Sequence, residues 1–212
     1  MADLKMYQGD PNLAGGRACL NFANTVGGRR PDQPREYLHD YGDLVAWSRH
    51  AGLLSEVEAQ RLVKEAEQRP VEAAQVLAQA IALREAIYRI FSAIAAGISP
   101  LPADITTLNN ELTITLAKLE VRATETGFSW GWRQEPEALD VMLWPVARSA
   151  GELLTSADLA RVRECAGDRC GWLFLDLSRN HSRRWCAMND CGNRAKAKRH
   201  YQRSRTKKEY EV

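Results

Sequence analysis

From about residue 35 onward, apolar positions recur at three- and four-residue steps, the period of a helix with one buried face. Leu38, Tyr41, Leu44, Val45 and Ala46 form the first such stripe, and Gly52 is placed to end it. Ser55-Glu56-Val57-Glu58 has the form of a capping box, in which the Ser55 hydroxyl and Glu58 carboxylate satisfy each other's free backbone donors. A second helix is predicted from there to the Arg69-Pro70 break. Residues 71–96 carry a broad stripe through Val76, Leu77, Ala80, Ile81, Arg84, Ile87, Tyr88, Phe91, Ile94 and Ala95, the pattern of a central core helix stopped by Gly97 and Pro100. Pro102-Ala103-Asp104 opens another, with Ile105, Leu108, Leu112, Thr115, Leu116 and Leu119 facing inward.

The period then falls to two. Leu119, Val121 and Ala123 alternate, as do Phe128, Trp130 and Trp132, which predicts a small β-hairpin turning near Thr126-Gly127. Residues 136–155 return to a helical stripe of Met142, Leu143, Val146, Leu153 and Leu154, which Pro145 is expected to kink or interrupt. Thr155-Ser156-Ala157-Asp158 reads as a further N-terminal cap. Near the C-terminus, Gly171-Trp172-Leu173-Phe174-Leu175-Asp176 is apolar on both faces and reads as a strand. No turn is rich enough in Pro, Gly or Ser to act as a long linker, so the parts of the chain are expected to pack together.

Length and charge divide this pattern in two. A chain of 212 residues with 45% hydrophobic content suffices for one large domain, or for one medium domain plus a small satellite that needs a metal to fold. Residues 1–160 hold 15 Lys+Arg against 21 Asp+Glu, a net of −6, whereas residues 161–212 hold 14 against 6, a net of +8. An acidic body with a basic tail points to a nucleic-acid partner more than to a catalytic fold. The N-terminal residues lack the apolar core of a secretory signal, and no run approaches the roughly 18 apolar residues of a membrane span. The expected compartment is the reducing cytoplasm, where paired cysteines favour metal over disulfide.

Four cysteines supply the chemistry. Cys165-x4-Cys170 and Cys186-x4-Cys191 are matched pairs separated by 15 residues. That spacing suits a tetrahedral Zn²⁺ held by four thiolates, with two disulfides or four unligated thiols as the alternatives. Such a zinc is structural, because four thiolates leave no position for water. Gly167 lets the first loop turn sharply, and Gly192 is expected to bring backbone amides to the sulfur. Trp172 and Trp185, each near a cysteine, are read as a shield from water. Cys19 stands apart and reads as a small buried hydrophobe.

Between Ser178 and Lys208 stand eleven basic residues against one acid, Asp190. Asn193 is placed to cap a helix beginning at Arg194. On that helix Arg194, Lys198, Tyr201, Arg205 and Lys208 share one side, and Lys196, Arg199, Arg203 and Lys207 lie nearly opposite. A helix charged on both sides gains little from packing on its own protein and more from lying along phosphates, with a solvated tail as the plain alternative. Arg179, Arg183 and Arg184 lie between the cysteine pairs and are better fixed in space, although Asp176 is free to pair with one of them.

The stretch from Leu173 to Asn180, then Arg183-Arg184-Trp185-Cys186 and Cys191-Gly192-Asn193-Arg194, resembles the bacterial CGNR zinc-finger family over about residues 160–205. Leu20-Asn21-Phe22-Ala23-Asn24-Thr25 resembles the opening of the ABATE domain that precedes this finger. The resemblance implies a stress-responsive transcription regulator with Cys165, Cys170, Cys186 and Cys191 as zinc ligands and the finger as DNA-binding module. The N-terminal domain is then an effector or partner domain. Asn21, Asn24 and Thr25 are candidates to line a ligand pocket, or to close a turn through side-chain to backbone hydrogen bonds.

The resulting expectation is a mainly α chain. Residues 1–158 form a helical domain with a small β-hairpin, and residues 159–212 a treble-clef or ribbon-like zinc module ending in a basic helix. Its partner is DNA, with RNA binding or a zinc-stabilised protein-interaction module as alternatives. A small-molecule effector and a homodimer reading paired half-sites are compatible with it. An enzyme is not expected: there is no His-Glu-x-x-His pair, phosphate-cradling loop or nucleophile elbow. Gly27-Gly28-Arg29-Arg30 reads only as a turn, and His39, His50, His181 and His200 are not needed as ligands.

Overall fold

The computed structural model describes residues 4–9, 12–30, 34–133, 135 and 137–210, with side chains through residue 204. It is built from seven helices, among the described residues: α1 (Ala18–Ala23), α2 (Tyr41–His50), α3 (Glu56–Gln68), α4 (Pro70–Ala95), α5 (Pro102–Leu116), α6 (Leu143–Leu154) and α7 (Asn193–Tyr210). Three antiparallel strand pairs accompany them: β1 (Val26–Gly27) with β2 (Arg35–Glu36), β3 (Leu119–Thr124) with β4 (Gly127–Trp132), and β5 (Val162–Glu164) with β6 (Leu173–Leu175). The chain is mainly α. No helix among the described residues is long and apolar enough to cross a membrane.

The long helix α4 is the axis of the core. Pro70 begins it, its missing N–H falling where no intrahelical bond is made, and Val76, Ala80, Leu83, Ile87, Ile90 and Phe91 are buried along it. Helices α1, α2, α3 and α5 pack on it, and α6 closes the layer against α1 and α5. The Ser55 and Glu58 capping box forms as the sequence predicts, with both reciprocal bonds present. Gly52, in the left-handed region at φ 70°, ends α2 by returning its amide to the Arg49 carbonyl.

Two expectations are corrected here, and the hairpin forms where the sequence places it. Pro145 does not kink a helix, because α6 starts at Leu143 and places Pro145 in its first turn, where an amide has no helical partner to lose. Leu116 is 52% exposed instead of inward, since α5 ends there and turns into the hairpin. The hairpin turns through Glu125-Thr126, with Thr124 opposite Gly127, and pairs Val121 with Trp130 and Ala123 with Phe128 on one face. Only the base of that face is packed, Trp132 lying 6.0 Å from Trp144, while Phe128 and Trp130 are exposed.

The core does not end with the helices. Val162, Leu173 and Leu175 are buried in the same cluster as Phe22, Leu83 and Ile87. Alternation along β6 then turns Phe174 to the opposite side, where it packs with the four cysteines. One three-residue strand therefore belongs to two apolar clusters, and this fixes the cysteine module against the helical body.

Candidate metal centre and nucleic-acid interface

The first cysteine pair sits on the turn between β5 and β6, and the second on the entry to α7. The intervening chain brings them together so that all four Sγ atoms lie within 4.8 Å of one another, all four residues buried. Cys170 to Cys186 is 3.6 Å and Cys186 to Cys191 is 3.7 Å. A tetrahedron with bonds of about 2.3 Å has edges of about 3.8 Å, so the sulfurs fit a single thiophilic ion. They are free thiols, far beyond the S–S bond length of about 2.05 Å.

Their acidity shows why a cation suits them. Hydrogen bonds from the thiols of Cys170 and Cys186 hold Cys165 well below the usual thiol range, whereas Cys186, facing Cys165 and then Cys170, is pushed far up. A bound Zn²⁺ would let all four carry charge, with Cys165, Cys170, Cys186 and Cys191 as its ligands and a purely structural chemistry.

The surrounding groups are arranged for thiolates. The Cys186 amide donates to Cys165 Sγ at 3.4 Å, and the Arg194 guanidinium donates to Cys191 Sγ at 3.0 Å while pairing with Asp190 at 2.8 Å. Gly167 sits in a tight space: a Cβ there would lie 3.2 Å from Cys170 Cβ and 3.3 Å from Cys191 Sγ, so the sulfur cluster would have to give by a few tenths of an ångström. Trp172 and Trp185 pack on the cluster, half-buried. The Gly192 amide goes to the Ala187 carbonyl instead of to sulfur. Asn193 does not cap α7. It already has helical dihedrals after a π-helical turn over Met188–Gly192, and its side chain donates to the Asn189 carbonyl.

Asp176 organises the loop between the pairs. It is fully buried, and its carboxylate accepts from the Ser178 amide at 2.9 Å, the Ser178 hydroxyl at 2.6 Å and the Arg183 amide at 2.9 Å. Burial opposes its charge, but these bonds outweigh that and keep the carboxyl below the usual range. It thus binds Arg183 through the backbone. The Arg183 guanidinium turns back over the Phe174 ring at 4.6 Å and donates to the carbonyls of Trp185 and Cys186.

The helical body grips this module through residues the sequence offered in another role. Asn24 is buried, and its amide brackets Leu173, donating to the carbonyl at 2.8 Å and accepting from the amide at 2.9 Å. Thr25 is buried and donates to the Phe22 carbonyl, and Asn21 accepts from the Gly15 amide. These three close the chain through side-chain to backbone bonds. The Gly27–Arg30 turn is more than a turn. The Arg29 amide donates to the Cys170 carbonyl at 2.8 Å, and Arg30 pairs with Glu164 at 2.8 Å.

Further ties come from Trp172, whose indole donates to the Val26 carbonyl, and from Tyr88, whose hydroxyl donates to the Gly171 carbonyl. Beneath them lies a charged chain: Arg84, 2% exposed, forks onto Glu36 at 2.7 Å through both terminal nitrogens and onto Glu85, which also holds Arg29. No spacing in the sequence announced this network. Its one visible signal was a charged residue, Arg84, inside the apolar stripe of α4.

Of the basic residues expected to meet nucleic acid, Arg179, Arg183, Arg184, Arg194, Lys196, Lys198, Arg199 and Arg203 are all exposed. They are not equivalent. Arg183 and Arg194 are engaged with the module itself, Arg184 lies against the Trp185 ring at 5.5 Å, and Lys198 pairs with Asp168. The side chains of Arg205, Lys207 and Lys208 lie outside the described residues. A cleft of about 540 Å³ runs between the first cysteine turn and α7.

Two family models match the chain in succession. Residues 16–157 match ABATE, described as "Putative stress-induced transcription regulator", and residues 161–204 match the CGNR zinc finger. Comparison with curated proteins gives no match. The first model spans most of the helical body and the second contains all four cysteines. The chain belongs to the ABATE family and carries a CGNR zinc finger at its C-terminal end.

Proposed function

We propose that this chain is a cytoplasmic transcription regulator that binds DNA through its C-terminal module. In this reading the four cysteines hold one structural Zn²⁺, which performs no reaction and sets the loop of Arg179 and Arg184 in register with α7. The observation that supports it is the set of exposed cations built onto a buried four-thiol site: through residue 204, the charged side chains of α7 are exposed on both sides of the helix. Phosphate neutralisation and counterion release then supply the affinity. The acidic helical body receives the regulatory input, a small molecule or a protein partner, and passes it through the shared β6 strand and the Asn24 bracket.

Fluorescence anisotropy of the zinc-loaded chain on duplex DNA tests this directly. Affinity should fall steeply with salt, and Arg179→Ala/Arg184→Ala should bind at least about tenfold more weakly across sequences. Absence of duplex binding at low salt would remove the reading. Competition with single strands and structured RNA separates DNA from RNA recognition.

A further inference from the structure

The cleft between the first cysteine turn and α7 gathers Arg169, Arg184, Arg194, Lys198 and Arg199 around one carboxylate, Asp168. Three features set it apart from an ordinary basic surface. It is concave, it spans two elements that the cysteine site holds together, and its one anion is engaged by a lysine from the facing helix. Both partners of that pair are well exposed, at 58% and 66% of the side chain, so burial does not demand it. Arg194 is already committed to Cys191 and Asp190, which leaves Arg169, Arg184, Lys198 and Arg199 to face a ligand. Positive charge remains in surplus there after counting Asp168 and the roughly −2 of a zinc tetrathiolate.

We propose that this cleft seats a phosphate of the bound nucleic acid, and that Asp168 occupies the seat in the free protein as an intramolecular stand-in for that phosphate. This rests on the DNA-binding reading and goes beyond it by naming the contact point and a built-in competitor. Binding exchanges the Lys198 to Asp168 pair for Lys198 to phosphate and turns the Asp168 carboxylate out to solvent. The device lowers affinity for every duplex alike, so weak non-specific sites are the ones it empties.

The test compares two single variants of the zinc-loaded full chain on duplex DNA at low salt. Asp168→Asn removes the competitor and should tighten binding about two- to fivefold, the scale of an exposed ion pair. Lys198→Gln removes the cation and should weaken it by a similar factor or more. Opposite signs are the expected result. If the pair merely braces α7 on the first turn, both variants loosen the module and affinity falls in both, which would overturn the proposal.

Metal content and far-UV ellipticity, measured alongside, confirm that each variant keeps its fold. Arg169→Ala/Arg199→Ala provides an independent check, with an expected loss of about tenfold or more. Inorganic pyrophosphate is the second ligand. Duplex binding that is unaffected by all of these variants would overturn the seat while leaving the DNA-binding reading intact. Saturable pyrophosphate binding, lost in Arg169→Ala/Arg199→Ala, without any duplex binding would overturn the nucleic-acid assignment and keep a phosphate seat for a small ligand.

Discussion

Replacing Asn24 by alanine removes the side chain that hydrogen-bonds the end of α1 to β6. The two bonds it makes, at 2.8 and 2.9 Å, go to the carbonyl and the amide of Leu173, which is fully buried. Water cannot take their place without opening the core. Leaving a buried donor and a buried acceptor unpaired costs about 1–3 kcal/mol each, so Asn24→Ala should lose roughly 2–6 kcal/mol. With a urea slope of about 2–3 kcal/mol/M, the unfolding midpoint falls by about 1–3 M.

The assay is urea unfolding followed by far-UV ellipticity for the helices and by a colorimetric zinc indicator for the module. Because Leu173 and Leu175 belong to the helical core and Phe174 to the cysteine cluster, both probes should move together. Asn24→Leu, of similar volume, should fall as far, which separates lost hydrogen bonds from lost volume. An unchanged midpoint, or metal release that stays at the parental urea concentration while the helices melt earlier, would refute the reasoning.

Arg84→Met leaves Glu36 and Glu85 without their shared buried partner and should cost about 3 kcal/mol, the lower end for a broken buried pair because both carboxylates keep some solvent. Burial raises the pKa of Glu36 and of Glu85, but arginine partners (Arg84 for Glu36, chiefly Arg29 for Glu85) outweigh this and leave both below the ordinary carboxylate value. Their stabilisation is therefore present above the unfolded pKa of about 4.3 and lost as pH falls through the lower folded value; urea midpoints from about pH 7 to 3 should drop less in Arg84→Met than in the parent. Ser55→Ala removes one half of the capping box and should lower stability by about 1 kcal/mol in a thermal melt. Arg183→Ala should loosen the module and weaken metal retention in a chelator titration, whereas Arg184→Ala should leave retention unchanged and weaken DNA binding.

Local physics made much of this legible in advance. Capping chemistry at Ser55, the proline start of α4 and the two-residue period around Val121 and Trp130 are decided within a few residues of themselves. The cysteine spacing pointed to one metal site for the same reason, since two short turns constrain four sulfurs whatever surrounds them. What lay hidden was every contact made at long sequence separation. Asn24 reaches Leu173, Arg29 reaches Cys170 and Arg30 reaches Glu164, and none of these pairings leaves a periodic trace. Asn24 and Thr25 therefore looked as suited to a pocket as to a clamp. Arg183 and Arg194 looked like free cations because a sequence shows charge and not the carbonyl or sulfur onto which it folds.

The account stands or falls on the link between metal and nucleic acid. A stepwise chelator titration should follow zinc release and duplex DNA anisotropy in the same sample. The account predicts about one zinc per chain and a binding signal that falls in proportion to its release, returning when zinc is restored. DNA binding that persists unchanged after all metal has been removed, or a chain whose four cysteines take up no metal, would contradict it.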